Sequence, residues 1–104
     1  MAAVTLDVYL PDYNVDVTLT LPDTLTLTEL SLLRMLMQGM SVSEIARKRC
    51  RSVKTVSYQK AQLYRKLGIR NDMTLGLDIL LRYKPVLRKT EDPLTSLEGG
   101  DNRM

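Results

Sequence analysis

Histidine is absent from this chain of 104 residues, and cysteine occurs only once, as Cys50. The missing histidine excludes catalysis by an imidazole and any metal site that depends on histidine ligands. A single cysteine cannot form a disulfide within the chain, which fits a reducing compartment. Paired carboxylates at a catalytic spacing and a glycine-rich phosphate loop are also missing. We therefore expect a protein that is not an enzyme and that uses no cofactor and no metal ion.

Long apolar runs are absent as well. No stretch approaches the roughly 20 apolar residues that a membrane-spanning helix needs. The N-terminus lacks the charged region and apolar stretch of a signal peptide. These absences predict a cytoplasmic protein without a membrane partner, and no pattern in the sequence indicates a small-molecule site.

Acidic residues are missing from one long internal stretch. Between Glu44 and Asp72 there is none, whereas the same stretch carries nine Lys or Arg residues. The net charge is −5 for residues 1–30, +11 for residues 34–89 and −3 for residues 90–104. A basic stretch is often only a solvated helix face, but here apolar residues keep a helical register among the bases. The pattern predicts a polyanion site, such as one for nucleic acid, in the middle of the chain.

Residues 4–21 alternate between apolar and polar side chains, which is the period of a half-buried β-strand. Pro, Asp, Tyr and Asn at 11–14 interrupt the alternation, so the pattern predicts a β-hairpin in an N-terminal arm of residues 1–26. An isolated hairpin is marginally stable in water and needs a cover for its apolar face. It could form a four-stranded sheet with the hairpin of a second copy, or it could fold back on the first helix. We favour the intermolecular sheet.

From residue 27 to residue 84 the period becomes helical, and capping residues divide the segment into four predicted helices. Their boundaries are Thr26 or Thr28 to Gln38-Gly39, Ser41 to about Arg49, Ser52 to Gly68, and Asn71 or Asp72 to about Tyr83. Side-chain oxygens at such starts accept from backbone N–H groups, and glycine suits helix ends. Residues 85–104 show no period and contain Pro, Gly and scattered acids, so we expect a disordered acidic tail there.

The third predicted helix has two chemically different faces. At about 100° per residue, an apolar stripe runs along one side and consists of Val56, Leu63 and Leu67. The opposite side carries Lys54, Tyr58, Ala61 and Arg65. A recognition helix needs this division, because one face must anchor on the scaffold while the other presents side chains to base edges.

Several motifs are spaced without a gap across residues 27–82. They are Leu27-Thr28-Glu29-Leu30, Leu33, Gln38-Gly39-Met40-Ser41, Glu44-Ile45-Ala46, Lys54-Thr55-Val56 and Tyr64-Arg65-Lys66-Leu67-Gly68-Ile69. This segment resembles the helix-turn-helix domain of the LuxR/GerE family. The part from Arg51 to Lys60 is most similar to the capsule-synthesis (Rcs-type) response regulators. The resemblance implies a mainly α, four-helix domain, here preceded by a β-hairpin that has no counterpart in the family domain.

The resemblance also implies roles for individual residues. The base-facing positions are Ser57, Tyr58 and Ala61. The positions expected to contact the DNA backbone are Ser52, Lys54, Thr55, Lys60 and Arg65. The fourth helix is expected to form the dimer interface with Leu77, Asp78 and Leu81. Arg49 departs from the family, which usually has Leu there: either its stem packs and its head reaches solvent, or the second helix is slightly rotated.

We therefore expect a sequence-specific, DNA-binding transcriptional regulator that holds double-stranded DNA as a dimer, with its third helix in the major groove. The dimer is expected to be a homodimer, or a heterodimer with another regulator. The alternative is a protein-interaction module that pairs with another regulator and modulates it without an operator of its own. A third helix with a groove-compatible face favours DNA binding.

Overall fold

The computed structural model describes residues 3–89 of the chain. Along these residues a β-hairpin is followed by four helices and a short third strand. The elements in chain order are β1 (Ala3–Leu10), β2 (Val15–Pro22), α1 (Leu27–Met37), α2 (Val42–Arg49), α3 (Val53–Leu67), α4 (Leu75–Tyr83) and β3 (Val86–Lys89). A single 3₁₀ turn, Asp72–Thr74, precedes α4. The expected fold class, a mainly α four-helix domain preceded by a β-hairpin, is confirmed.

The hairpin forms because its alternating sequence places every second side chain on the same face of the two strands. β1 and β2 pair antiparallel over their whole length. The backbone N–H of Tyr13 closes the turn by donating to the carbonyl of Leu10 at 3.1 Å. Asn14 adopts a φ of 51°, a left-handed conformation that asparagine tolerates better than most residues. Its side-chain oxygen accepts from the Tyr9 hydroxyl at 2.8 Å, which holds the turn against β1.

The apolar face of the hairpin lies on the chain's own helices. α1 also covers the outer edge of β1, where Arg34 Nε donates to the carbonyl of Asp7 at 3.2 Å. Gln38 Nε2 donates to the carbonyl of Tyr9 at 3.0 Å. These bonds occupy backbone groups that an added strand would need. The favoured prediction of an intermolecular sheet between hairpins is therefore corrected, and the other placement, on the first helix, is the one observed.

A third strand corrects the prediction for the residues after α4. Val86–Lys89 pair antiparallel with β2, so the sheet has the order β1-β2-β3. All four side chains of β3 are exposed, and four residues are too few to show a period. The predicted disordered tail from residue 85 is thus wrong for this strand. The rest of that tail, residues 90–104, lies outside the described residues.

One apolar core joins the sheet to the helices. Its buried members come from both strands of the hairpin, from all four helices and from the connecting segments: Leu6, Val8, Val17, Leu19, Leu21, Leu25, Leu32, Leu33, Ile45, Ala46, Val56, Leu63, Tyr64, Leu67, Ile69 and Ile79. Because strand and helix side chains share this cluster, the boundary that we predicted near residue 26 runs through a single packed unit.

Side-chain caps determine where the helices begin. Thr26 and Glu29 form a reciprocal capping box at the start of α1, and Ser41 and Glu44 form another at the start of α2. Asn71 caps the 3₁₀ turn rather than α4 itself. The fourth helix therefore begins at Leu75, four residues after Asn71, with one tighter turn in between.

Leu19→Ala should destabilise the whole domain, because the Leu19 side chain is completely buried. Truncation of a buried leucine to alanine typically costs about 2–5 kcal/mol. Chemical denaturation followed by circular dichroism would measure the loss. The neighbouring Thr20 is exposed, so Thr20→Ala is the matched control and should change the free energy of unfolding by less than about 1 kcal/mol. Equal midpoints for the two variants would contradict this placement of the hairpin.

Candidate nucleic-acid interface

α2 and α3 are joined by a short turn, and hydrogen bonds fix it both to the end of α2 and to the start of α3. Cys50 ends α2 in the left-handed conformation, with a φ of 56°. The backbone N–H of Arg51 donates to the carbonyl of Ala46 at 2.9 Å. Ser52 Oγ then begins α3 by accepting from the backbone N–H of Thr55 at 3.1 Å. These bonds fix the direction in which α3 leaves α2, as a helix-turn-helix requires.

The two faces of α3 lie as their chemistry predicts. Val56, Leu63 and Leu67 are at most 1% exposed and hold α3 in the core. The side facing away from the core carries the three base-facing candidates, Ser57, Tyr58 and Ala61, all of which are exposed. Tyr58 is the most prominent of them, with 65% of its surface accessible. The structure thus brings these three candidates together on one open surface.

The candidates for backbone contacts near the start of α3 differ in what they can offer. Ser52 Oγ donates to Thr55 Oγ1 at 2.9 Å, so the hydroxyl hydrogen of Ser52 is used within the chain. Thr55 keeps its own hydroxyl hydrogen for an outside acceptor. Lys54 and Arg65 are exposed, and neither forms an ion pair with another residue in the range 3–89. The geometry therefore favours Lys54, Thr55 and Arg65 as donors and makes Ser52 a helix cap.

Lys60 points away from the open surface of α3. Its Nζ lies 3.0 Å from Asp72 Oδ1, and only 19% of its side chain is exposed. The Tyr64 hydroxyl donates to the same carboxylate at 2.7 Å. The hydrogen bond from Tyr64, and after it the bond from Lys60, lower the pKa of Asp72. Burial of the Tyr64 ring and the hydrogen bond of its hydroxyl to Asp72 raise the pKa of Tyr64. This cluster ties α3 to the 3₁₀ turn, so Lys60 is placed differently from the other expected backbone contacts.

Two further basic side chains attach the helix-turn-helix to the start of α1. Lys66 Nζ forms an ion pair with Glu29 Oε1 at 2.9 Å. Arg49 Nη2 donates to the carbonyl of Thr28 at 3.1 Å. Arg49 thus reaches the start of α1 with its guanidinium, which explains how an arginine is accommodated at a position where a leucine was expected. The sequence pattern did not indicate either connection, because the partners are more than twenty residues apart.

The expected dimer residues on α4 do not share one surface. Leu77 and Leu81 are 50% and 63% exposed, and Leu80 beside them is 52% exposed. Asp78, in contrast, is only 4% exposed. Its Oδ2 accepts from the backbone N–H of Arg70 at 2.9 Å and from the Thr74 hydroxyl at 2.8 Å. The placement of Asp78 on a dimer surface is therefore corrected, since the carboxylate joins α4 to the segment before it.

Within residues 3–89 no group of three or more Cys, Asp or Glu side chains could hold a metal ion. Over the same residues no helix is both long and apolar enough to cross a membrane.

The family model described as "Bacterial regulatory proteins, luxR family" matches residues 23–76, slightly more than half of the chain. The chain belongs to this family. The matched segment runs from just before α1 into α4 and so contains the whole helix-turn-helix. The expected class is confirmed at this level: the chain carries the DNA-binding domain of a family of bacterial regulators.

Three proteins from Escherichia coli (strain K12) illustrate the range of relatives that share this domain. The chain is 49% identical over 78 residues to "Cyclic di-GMP phosphodiesterase PdeL". The aligned segment is 75% of the chain and 22% of that protein. The chain is 42% identical over 88 residues to "Uncharacterized HTH-type transcriptional regulator YuaB", which covers 85% of the chain and 25% of that protein. It is 47% identical over 47 residues to "Transcriptional regulatory protein RcsB". That aligned segment is 45% of the chain and 22% of RcsB.

The RcsB match confirms the predicted similarity to the Rcs-type regulators. The chain spans about a quarter or less of the length of each of these relatives. No solved structure gives a significant match to the chain.

Acid should destabilise the domain partly through Asp78. Hydrogen bonds from the Arg70 backbone N–H and from Thr74, together with the Arg70 guanidinium, lower the pKa of the Asp78 carboxyl to about 2. The folded pKa lies below the unfolded value of about 3.9. The stability that the carboxylate contributes is therefore complete above the unfolded pKa and is lost as the pH falls from about 4 towards 2.

Asp78→Asn should lower stability at neutral pH and remove part of this acid-dependent loss. Denaturation midpoints measured between about pH 6 and pH 2 would test it. Asp23 is exposed, so Asp23→Asn is the control and should keep the wild-type pH dependence. An Asp78→Asn variant whose midpoints follow the wild-type curve at every pH would contradict the assigned role.

Proposed function

We propose that the chain is a sequence-specific DNA-binding domain of a transcriptional regulator, with α3 in the major groove of double-stranded DNA. The observation that carries the proposal is the division of α3. Its apolar stripe is anchored in the core, while the opposite face combines base-facing candidates with exposed cations and no acidic residue. A domain with this function would work in the bacterial cytoplasm, by binding and not by catalysis.

The exposed side chains of α3 have the chemistry that base recognition needs. A hydroxyl such as that of Ser57 can donate to or accept from a base edge, and the Tyr58 ring can contact a thymine methyl group. Ala61 is small, which allows the helix to approach the floor of the groove closely. Together these three side chains supply polar, aromatic and apolar contacts within little more than one turn of helix.

Phosphate contacts would position the domain without reading the sequence. Lys54, Thr55 and Arg65 are the donors that we assign to the DNA backbone. The first turn of α3 contributes as well, because its unpaired N–H groups favour an anion. We do not assign a phosphate to Lys60, since its ammonium group is held by Asp72.

We further propose that the regulator is a dimer formed through α4. Leu77, Leu80 and Leu81 are each at least half exposed, which leaves an apolar surface on a small domain. Dimers of helix-turn-helix proteins bind two half-sites that are one helical turn of DNA apart. A second copy on α4 would cover this surface and double the DNA contacts.

The same exposed leucines favour a second candidate function. The chain could pair through α4 with a different regulator and modulate it without an operator of its own. Selection of bound duplexes from a random pool, carried out with this chain alone, separates the two functions. One enriched motif supports sequence-specific binding by the chain itself, whereas no enrichment supports the pairing function.

Tyr58→Ala should relax specificity, because it removes a base contact that is worth roughly 1–3 kcal/mol of discrimination. Lys54→Ala is the matched control on the same helix: it should weaken binding to selected and random duplexes about equally and lower the salt slope by about 1. Fluorescence anisotropy with both duplexes over a range of salt would measure the two effects. The assignment fails if Tyr58→Ala keeps the wild-type ratio of affinities for the two duplexes.

Leu81→Asp should give a folded monomer, because it places a charge in the proposed α4 contact. We expect the dimer dissociation constant to rise at least about tenfold, which corresponds to about 1.4 kcal/mol. Sedimentation would measure association, and circular dichroism would verify the fold. Leu27 is 85% exposed at the start of α1, so Leu27→Asp is the control and should leave association unchanged. A dimer as tight as that of the wild type would rule out this part of α4 as the contact.

A further inference from the structure

A cavity of about 410 Å³ opens beside α3, between the start of α1 and the turn that joins α2 to α3. We call it the α1–α3 pocket, and its lining residues are Leu27, Thr28, Ser31, Arg49, Arg51 and Gln59. Its volume lies at the lower end of the range for small-molecule sites, about 300–1,000 Å³. None of its polar residues belongs to the set that we assigned to DNA above.

Two guanidinium groups make the pocket strongly cationic. Arg49 is held in place by its bond from Nη2 to the carbonyl of Thr28, which leaves its other N–H donors for a ligand. Arg51 is exposed at the turn. No acidic side chain lines the pocket, and within residues 3–89 neither arginine forms an ion pair. Guanidinium groups match the geometry of phosphate oxygens and bind them through paired hydrogen bonds.

Gln59 contributes an amide group to the lining of the pocket. Its Oε1 is buried and has no hydrogen-bond partner within the described part of the chain. Buried polar atoms are nearly always hydrogen-bonded, so an atom without a partner in a lined pocket calls for an explanation. The buried oxygen itself is closed to a ligand. Rotation of the amide would turn its NH₂ group towards an anion and supply a donor.

The position of the pocket relates it to the recognition surface. Thr55 and Gln59 are four residues apart on α3 and therefore lie on the same flank of the helix. Thr55 is one of the donors assigned to the DNA backbone. A DNA strand that passes this flank would continue towards the mouth of the pocket, where Arg51 is exposed.

We propose that the α1–α3 pocket binds a phosphate group. The source can be a phosphate of the DNA strand beside α3, which rests on the proposed function, or a free phosphorylated molecule. In the first case the pocket extends the footprint of the domain by one backbone contact. In the second case it makes DNA binding sensitive to a small anionic ligand.

The first experiment tests the DNA source by ethylation interference on a duplex selected with the wild-type chain. Arg51→Gln should lose interference at a phosphate that Lys54→Ala retains, and its salt slope should fall by about 1. Arg88 is exposed on β3, so Arg88→Gln makes the same change in charge away from the pocket. It should keep every contact and the wild-type slope.

The second experiment tests the free source by titrating the whole chain with inorganic phosphate and recording ¹⁵N NMR spectra. Saturable shifts at the Gln59 side-chain amide and at Thr28, absent in Arg51→Gln, would show that free phosphate enters. Gln59→Glu places a carboxylate in the pocket and should abolish the ethylation contact and the shift at Thr28, with circular dichroism verifying the fold.

The outcomes separate the pocket from the proposed function. A lost ethylation contact supports the DNA source, and saturable shifts support the free source. If the wild type selects a duplex but Arg51→Gln keeps every contact and phosphate causes no saturable shift, the pocket proposal is overturned. If the wild type selects no duplex, the proposed function fails and the titration alone decides whether the pocket binds phosphate.

Discussion

The burial of one face of α3 is the constraint on which the rest of this structure depends. Val56, Leu63 and Leu67 can leave water only if α3 lies against the other helices, and a helix fixed along one stripe must present the opposite stripe to solvent. Tyr58 and its neighbours are therefore exposed because of what lies behind them. The apolar face of the hairpin packs in the same buried cluster, to which α1 and α3 also contribute.

The ion pairs neutralise only part of the positive charge of the basic segment. Lys60, Lys66 and Arg70 each pair with an acid that lies outside the acid-free stretch: Asp72 on the 3₁₀ turn, Glu29 on α1 and Asp78 on α4. These pairs hold the later part of α3 and the segment after it. The bases of α2, of the turn and of the exposed face of α3 form no ion pair with another residue in the range 3–89. The uncompensated positive charge is thus concentrated where a polyanion would approach.

The relatives show that similar segments occur within longer proteins that carry different names. One carries the name of a phosphodiesterase and two carry names of transcriptional regulators, yet the matched segments are only 22% to 25% of their lengths. A shared domain does not transfer the activity of the protein around it, because function resides in particular sites. For the present chain, the described residues offer a surface and a cationic pocket for binding. Both are built on α3 and its connections, so a ligand in the pocket would lie next to the recognition surface.

The sequence by itself determined the features that depend on neighbours within a few residues. Alternation identified the hairpin, helical spacing identified the two faces of α3, and Ser41 and Ser52 identified helix starts, because these signals repeat every two to four residues. Only the tertiary structure decided which surface covers the hairpin, that Val86–Lys89 join the sheet, that Asp78 is buried and that Lys60 is held by Asp72. It also decided that Arg49, Arg51 and Gln59 line one pocket. Such contacts join residues far apart in the chain, and their geometry exists only after the helices and strands have packed together.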